Sequence, residues 1–213
     1  LKTGPAPAPA RANLNGVNGM KRNQGFTLVE LAIVLVVIGL ILGMAFKGKD
    51  LIDGAKVKNL AAQYNKVVAG ANTFYEKYGF YPGDGCPNVA TPTIAQCQNS
   101  GLARNGRLSE PGEANAFWVL LIDRSNILTA ADRRSVFGQN WTIWAGAPNG
   151  RAADYLDFPG GPQADPRYAC ALDRMMDDGV WNTGLVMSDR NYNANTDCWG
   201  LIGQADLWIR VLP

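Results

Sequence analysis

An apolar run dominates the first quarter of the chain. From Phe26 to Phe46 the residues are apolar or small except for Thr27 and Glu30, and the basic, polar residues 21–24 stand directly before them. A run of 21 residues is long enough for a membrane-spanning helix, which needs about 20. A carboxylate inside such a helix costs on the order of 3 kcal/mol unless it finds a partner. The pattern therefore predicts a membrane-spanning helix in which Glu30 needs a specific partner.

The residues after Phe46 continue as a one-faced helix. Between Lys47 and Tyr78 apolar residues recur mostly at intervals of three and four, and no proline interrupts residues 26–81. We expect one helix of 53 residues from Phe26 to Tyr78, about 80 Å long at 1.5 Å per residue. The glycine- and proline-rich residues 79–85 would end it.

The rest of the chain has the pattern of a small mixed domain. Short helices are expected at about 111–124 and at 166–176, strands at 139–144, 184–187 and 207–212, and loops at 85–106 and 158–162. Strands this few and short favour a small antiparallel sheet packed on the second half of the long helix. The fold class that follows is α+β.

The residues Gly25-Phe26-Thr27-Leu28-Val29-Glu30 resemble the motif G-F-T-L-x-E of type IV prepilins and type II secretion pseudopilins. The resemblance implies that a dedicated prepilin peptidase cuts between Gly25 and Phe26 and that Phe26 is then N-methylated. It also implies that Glu30 guides assembly into a filament. Methylation keeps the charge of the new amine, so Glu30 of one subunit could pair with the amine of a neighbour.

The resemblance also implies what surrounds the protein. Expected partners are copies of itself or other pilins, the prepilin peptidase, an assembly ATPase, an inner-membrane platform and the membrane. The expected location is the bacterial inner membrane, with one membrane span and a periplasmic head, and after assembly a cell-surface or periplasm-spanning filament. This is a structural role in a pilus or pseudopilus, and we do not expect an enzyme.

Four segments follow from the pattern and the motif together. Residues 1–25 are expected to be a disordered extension and leader peptide, with Met20 as the start of the leader. Residues 26–46 form the transmembrane and assembly helix and 47–79 its amphipathic continuation. Residues 80–213 form the periplasmic globular head.

A conventional secretory signal is the alternative to the filament motif. The basic lead, the apolar run and the small residues Gly43 and Ala45 also suit an ordinary signal peptidase. Cleavage there would release a soluble or anchored binding module, adhesin-like in function, that begins near Phe46. A periplasmic hydrolase is a third hypothesis, although no pattern of acidic residues in the sequence supports it.

Charge and histidine content exclude several functions. The net charge is +2, but four of the 20 basic residues and none of the 18 acidic ones lie in the first 25 residues, which leaves 16 against 18. The basic lead therefore indicates orientation across a membrane rather than nucleic-acid binding. The chain has no histidine, which excludes Ser-His-Asp and Cys-His catalysis and any histidine-ligated metal site.

All four cysteines follow the apolar run. Cys86, Cys97, Cys170 and Cys198 form no C-x-x-C pair, so zinc and thioredoxin-like sites are disfavoured. A head outside the cytoplasm permits disulfides. Of three connectivities we favour Cys86 with Cys97 and Cys170 with Cys198, because each closes a polar loop.

An Asn-rich loop near the C-terminus is the candidate metal site, with calcium as the candidate cofactor. Oxygen side chains alternate along it at Asp189, Asn191, Asn193, Asn195 and Asp197. Calcium accepts six to eight oxygen ligands in flexible geometry, although the EF-hand pattern itself is not met. Some pseudopilins are similar in using calcium at a C-terminal loop. Asp173, Asp177 and Asp178 are further donors, and a solvent-exposed loop without metal is the alternative.

The six tryptophans all follow residue 110. Burial in the core is the expected role, and an aromatic patch that binds sugars or surfaces is the alternative.

Overall fold

The computed structural model describes residues 4, 25–158 and 163–212. The remainder of the expected extension and leader, including Met20, lies outside the described residues, and so do residues 159–162 of the expected loop. The chain divides into two compact units, Leu1–Phe46 and Lys47–Pro213. Each unit is described by itself.

The residues 25–46 that the structure describes in the first unit include the beginning of one long helix, α1, which spans Leu28–Tyr78. Every residue from Gly25 to Phe46 is exposed. An apolar helix without a packing partner requires an apolar environment. Among the described residues, α1 is the single helix long and apolar enough to cross a membrane, by length and composition. The helix begins two residues later than expected and ends where the sequence predicts.

In the second unit, α1 supplies one wall of the core. Val57, Leu60, Val67, Ala71 and Phe74 are buried along one face at helical spacing. The helix ends at a glycine, Gly79, whose φ of +80° favours that residue. Residues 47–78 therefore belong to the same compact unit as the head that follows.

A four-stranded antiparallel sheet packs on this part of α1. Its strands are β1 (Thr142–Gly146), β2 (Ala153–Asp157), β3 (Val186–Ser188) and β4 (Leu207–Arg210), in the order β1-β2-β4-β3. The paired residues Ile143, Leu156, Ile209 and Val186 form a row across all four strands within the same hydrophobic core as α1. The expected pilin-like α+β fold is confirmed.

Three further helices complete the unit: α2 (Ile94–Gln98), α3 (Glu113–Trp118) and α4 (Pro166–Met176). The bounds of α4 are those expected from the sequence, and α3 continues as a π-helical segment, Val119–Arg124, over the rest of the expected 111–124 helix. The sequence pattern did not predict α2 or strand β2. It also placed β1 three residues too early, because residues 139–141 precede the sheet.

Two disulfides fix the loops of this unit. Cys86 bonds Cys97, and Cys170 on α4 bonds Cys198. Both pairs are the ones favoured from the sequence. The first closes the loop that carries α2. The second holds the Asn-rich loop against α4.

Candidate functional site

The motif residues lie at the start of α1. Gly25, Phe26 and Thr27 precede the helix, which begins at Leu28. The Phe26 side chain is 83% exposed. The bond between Gly25 and Phe26 therefore lies outside regular secondary structure, as a peptide bond must to enter a protease active site in extended form.

Thr27 and Glu30 form a capping box at the start of α1. Glu30 Oε2 accepts hydrogen bonds from the Thr27 N–H at 2.8 Å and from the Thr27 hydroxyl at 2.9 Å. In return, the Glu30 N–H donates to Thr27 Oγ1 at 3.2 Å. These bonds satisfy backbone donors that a helix start leaves without partners. The carboxylate thus has local partners before any neighbouring subunit is present.

A partner for Glu30 was expected in a neighbouring subunit, and its bonds with Thr27 of the same chain were not predicted. The signal was available, because Thr27-x-x-Glu30 directly before an apolar run is the sequence pattern of a capping box.

A second candidate site is a cluster of three carboxylates at the end of α4. Asp173, Asp177 and Asp178 each place one oxygen within 4.8 Å of the others. Asp173 is buried, Asp177 is half-buried and Asp178 is exposed. Hard oxygen donors of this kind suit calcium or magnesium, so these residues could hold a metal ion.

Backbone and hydroxyl groups orient the three carboxylates. Asp173 Oδ1 accepts the Gly179 N–H at 3.0 Å, Asp177 Oδ2 accepts the Leu185 N–H, and Asp178 Oδ2 accepts the Thr183 hydroxyl at 2.6 Å. Burial raises the pKa of Asp173 to about 6, and the charges of Asp178 and Asp177 add to the rise. A bound cation would favour the ionised form of Asp173.

The five loop residues expected to bind calcium are occupied differently. Asp189 Oδ1 accepts the Asp206 N–H at 2.8 Å, and Asp197 Oδ1 accepts the Trp199 N–H at 3.1 Å. Asn193 Oδ1 accepts the Asn195 N–H at 2.9 Å, and Asn191 is exposed. The Asn193 and Asp197 bonds form a local turn and a helix cap, whereas the Asp189 bond joins the loop to Asp206, just before β4. The Asp189–Asp197 set stays a prediction, and Asp189 and Asp197 are not members of the carboxylate cluster.

An arginine holds the Asn-rich loop. The Arg174 guanidinium on α4 donates to the backbone carbonyls of Asn193, at 3.1 Å, and Thr196. Since a cationic side chain already binds these two carbonyl oxygens, a metal ion in the loop would compete with Arg174 for them.

The tryptophans divide between core and surface. Trp118 and Trp141 are buried, whereas Trp144 is 38% and Trp199 46% exposed. On the sheet face opposite the α1 core, Trp144 lies 5.8 Å from Trp208, measured between ring centroids. Burial therefore accounts for some of the tryptophans but not for Trp144 and Trp199.

Comparison with known families finds one match. The prokaryotic N-terminal methylation motif matches residues 20–46. This confirms the resemblance to type IV prepilins and pseudopilins, and it covers the cleavage bond and Glu30 but not the head. No curated protein and no solved structure matches the chain.

Proposed function

We propose that this chain, which carries the N-terminal methylation motif of type IV prepilins and pseudopilins, is a structural subunit of a type IV pilus or a type II secretion pseudopilus. The observation that carries the proposal is the arrangement at the start of α1: an exposed Gly25–Phe26 bond, a capped Glu30 and an exposed apolar helix in immediate succession. Type IV pilins are structural proteins, so the work of this chain is assembly and movement rather than turnover.

Maturation would begin at the Gly25–Phe26 bond. Prepilin peptidase cuts it, and methylation of Phe26 follows. Cleavage and methylation leave a cationic amine on Phe26, one residue before Thr27, the N-cap of α1. This amine lies at the positive end of the helix dipole, where a positive charge is unfavourable without an anionic partner.

Glu30 is the natural partner for that amine. In a bundle of packed helices, Glu30 of one subunit pairs with the methylated amine of its neighbour, which removes two single charges from an apolar environment. The capping box gives the carboxylate partial compensation until a neighbour arrives. Assembly would then exchange or supplement bonds to Thr27 with an ion pair.

The proposed cellular location of the subunit is based on its apolar helix. The exposed apolar segment anchors the chain in a membrane before assembly, and the basic lead keeps the N-terminus cytoplasmic, so that the head is periplasmic. The two disulfides agree with an oxidising compartment. The assembly ATPase and inner-membrane platform would then move the subunit into a periplasm-spanning or cell-surface filament.

Mass spectrometry of the mature N-terminus tests the proposal. We expect a protein that begins with N-methylated Phe26. A terminus near Phe46 would instead show cleavage by a conventional signal peptidase and support the binding-module alternative. The same spectrum distinguishes an unprocessed anchor, which would retain Gly25.

We propose calcium as the ion held by the carboxylate cluster. Three facing carboxylates repel one another, and burial makes the charged form of Asp173 costly. A divalent cation would relieve both costs. The site would stiffen the end of α4 and the residues up to β3.

Thermal unfolding in calcium and in chelator tests this. We expect calcium to raise the Tm of the Lys47–Pro213 unit, since a ligand at about 100 times its Kd stabilises the folded state by about 2.7 kcal/mol. Asp178→Asn should reduce the gain, whereas Asp123→Asn, at an exposed site outside the cluster, should not. An unchanged Tm of the unaltered protein would contradict the proposal.

A further inference from the structure

Three large apolar side chains are the most exposed ones in the described part of the Lys47–Pro213 unit. Ile202 is 87%, Leu51 77% and Ile52 60% exposed. Leu51 and Ile52 lie on α1, just after the apolar segment. Ile202 is 150 residues later in sequence than Ile52, but its loop is linked to α1 by contacts through Tyr168 of α4.

The loop of Ile202 is rigidly held. Cys198, at its base, is bonded to Cys170 on α4, and the Arg190 guanidinium donates to the Gln204 carbonyl at 2.8 and 2.6 Å. Beyond Gln204, the backbones of Ala205 and Ala164 exchange two hydrogen bonds of 2.9 Å each. The fold thus holds this apolar side chain in solvent at an entropic cost that a flexible loop would avoid.

A chain of side-chain contacts joins this loop to α1. The Trp199 ring lies edge-on to Tyr168 of α4, with ring centroids 5.8 Å apart. The Tyr168 hydroxyl donates to Asp53 Oδ1 at 2.6 Å, and Lys56 Nζ donates to the same hydroxyl at 3.2 Å. Asp53 is the residue directly after Ile52.

The short stretch of chain between the apolar segment and Asp53 limits how far Asp53 can lie from the bilayer. Asp53 is seven residues beyond Phe46, the end of the apolar segment. Seven residues span about 10 Å as a helix and at most about 25 Å when fully extended. If the apolar segment spans the membrane, as the proposed function holds, Asp53 and the loop bound to it are near the bilayer surface.

The composition of this region fits a lipid surface. Residues 47–58 contain four lysines and two aspartates, an excess of positive charge that anionic headgroups attract. Tryptophan is enriched where proteins meet the interface between headgroups and acyl chains, and Trp199 is 46% exposed beside Ile202.

We propose that the Trp199–Ile202 loop, together with Leu51 and Ile52, binds the surface of the bilayer while the subunit awaits assembly. The partner is a membrane with anionic headgroups, and the apolar side chains enter the boundary between headgroups and acyl chains. The contact holds the head against the membrane and is released when the subunit moves into a filament. This inference rests on the proposed membrane anchoring.

A fluorophore attached at single new cysteines in the full chain tests the contact. The native cysteines are all paired, so Ile202→Cys, Leu102→Cys and Val36→Cys each provide one free thiol. Leu102 is the matched control, because it is also an exposed apolar residue, at 50%. It lies two residues before Arg104, which packs over the ring of Phe80, just after the C-terminal end of α1, whereas Asp53 is near the apolar segment. The chains are placed at low density in vesicles of phosphatidylethanolamine and phosphatidylglycerol that carry nitroxide lipids.

We expect headgroup-level nitroxides to quench the label of the Ile202→Cys variant several-fold more than the label of the Leu102→Cys variant, independently of protein density. Equal quenching of the two labels overturns the inference. Shielding of the Ile202→Cys label that develops only at high protein density also overturns it, because a second copy would then be the partner. Failure of deep acyl-chain nitroxides to quench the label of the Val36→Cys variant would instead overturn the membrane anchoring itself.

Discussion

Glu30 has one observed role, in the capping box, and one proposed role, in assembly, and substitutions at this residue can separate the two. Its carboxylate accepts two hydrogen bonds from Thr27, and in the proposed filament it also compensates a neighbouring amine. Glutamine at the same capping-box position keeps the first role, because its amide oxygen accepts the same bonds, but it carries no charge. The two substitutions Glu30→Ala and Glu30→Gln therefore distinguish a cap from an ion pair.

We predict that neither variant affects membrane insertion and that both are absent from filaments sheared from cells. Thr27→Ala is the complementary control, because it removes the capping hydroxyl at a cost of about 1 kcal/mol but keeps the charge; it should still assemble. Immunoblots of the membrane and filament fractions measure both steps. Normal assembly of Glu30→Gln would show that the charge is dispensable.

Asp157, at the end of β2, makes the stability of the head depend on pH. Burial raises its pKa to about 6, from an ordinary value of 3.8, and the charge of Asp206 adds to the shift. Between these two pH values the folded state binds more protons than the unfolded state. The free energy of unfolding therefore falls as the pH rises from about 4 to about 6 and is level above that range.

We predict a higher Tm at pH 5 than at pH 7.5 for the Lys47–Pro213 unit, and a smaller difference for Asp157→Asn. Other carboxyl groups whose pKa is raised by burial, such as Asp84 and Asp154, contribute in the same direction. Glu76→Gln, at an exposed position on α1, should leave the difference unchanged. Equal Tm values at the two pH values would contradict the assignment.

At the level of elements, local patterns were enough for α1 and α4. The 3.6-residue period and the glycine stop predicted α1 to its last residue, and the start of α4 was predicted at Pro166. Asp165 is the N-cap, since its side chain accepts the Arg167 N–H at 3.0 Å. Such signals act within one turn of helix, which is why sequence alone reveals them.

Elements that depend on distant contacts were missed. Strand β2 reads Ala-Asp-Tyr-Leu-Asp, and its first carboxylate, Asp154, is fully buried because it accepts the Leu108 N–H at 3.1 Å and faces Arg107 Nε at 3.3 Å. Asp84 and Glu113 are likewise buried and accept backbone N–H groups from the long loop. In a sequence, acidic residues at such positions indicate solvent-exposed turns rather than buried elements. The free-energy cost of burying these carboxylates is offset by hydrogen bonds from residues distant in sequence, which the sequence does not reveal.

The candidate sites also differ in whether a local sequence pattern is enough to predict them. The Gly25–Phe26 bond and Glu30 could be identified from six consecutive residues, because a short motif is read by a peptidase as a linear segment. The carboxylate cluster required the geometry at the end of α4, where a turn brings Asp177 and Asp178 beside the buried Asp173. In the sequence, the alternating Asp and Asn residues of 189–197 are a more obvious metal-binding pattern than the carboxylate cluster. In the structure, however, Asn193 and Asp197 accept hydrogen bonds from backbone N–H groups two residues further along the chain.

At the level of the whole molecule, α1 belongs to both compact units: its apolar segment lies in the first, and its residues from Lys47 onward lie in the second. The compact unit begins at Lys47, not after the helix, because α1 contributes Val57, Leu60, Val67, Ala71 and Phe74 to the core. Burial of a large apolar side chain stabilises a fold by about 1.5–3 kcal/mol. Loss of all five would cost on the order of 10 kcal/mol, as much as the whole stability of an ordinary domain.

We therefore predict that a fragment of residues 47–213 unfolds in one cooperative transition, whereas a fragment of residues 80–213 does not fold. Differential scanning calorimetry and binding of a hydrophobic dye measure the two behaviours, and the shorter fragment should bind the dye without a melting transition. Leu60→Ala in the longer fragment provides the intermediate case, with a loss of about 2–5 kcal/mol, while Leu51→Ala on the same helix, at a 77% exposed position, should cost less than about 0.5 kcal/mol. A cooperative transition in the 80–213 fragment would show that the head is independent of α1, and the long helix would then be an anchor alone.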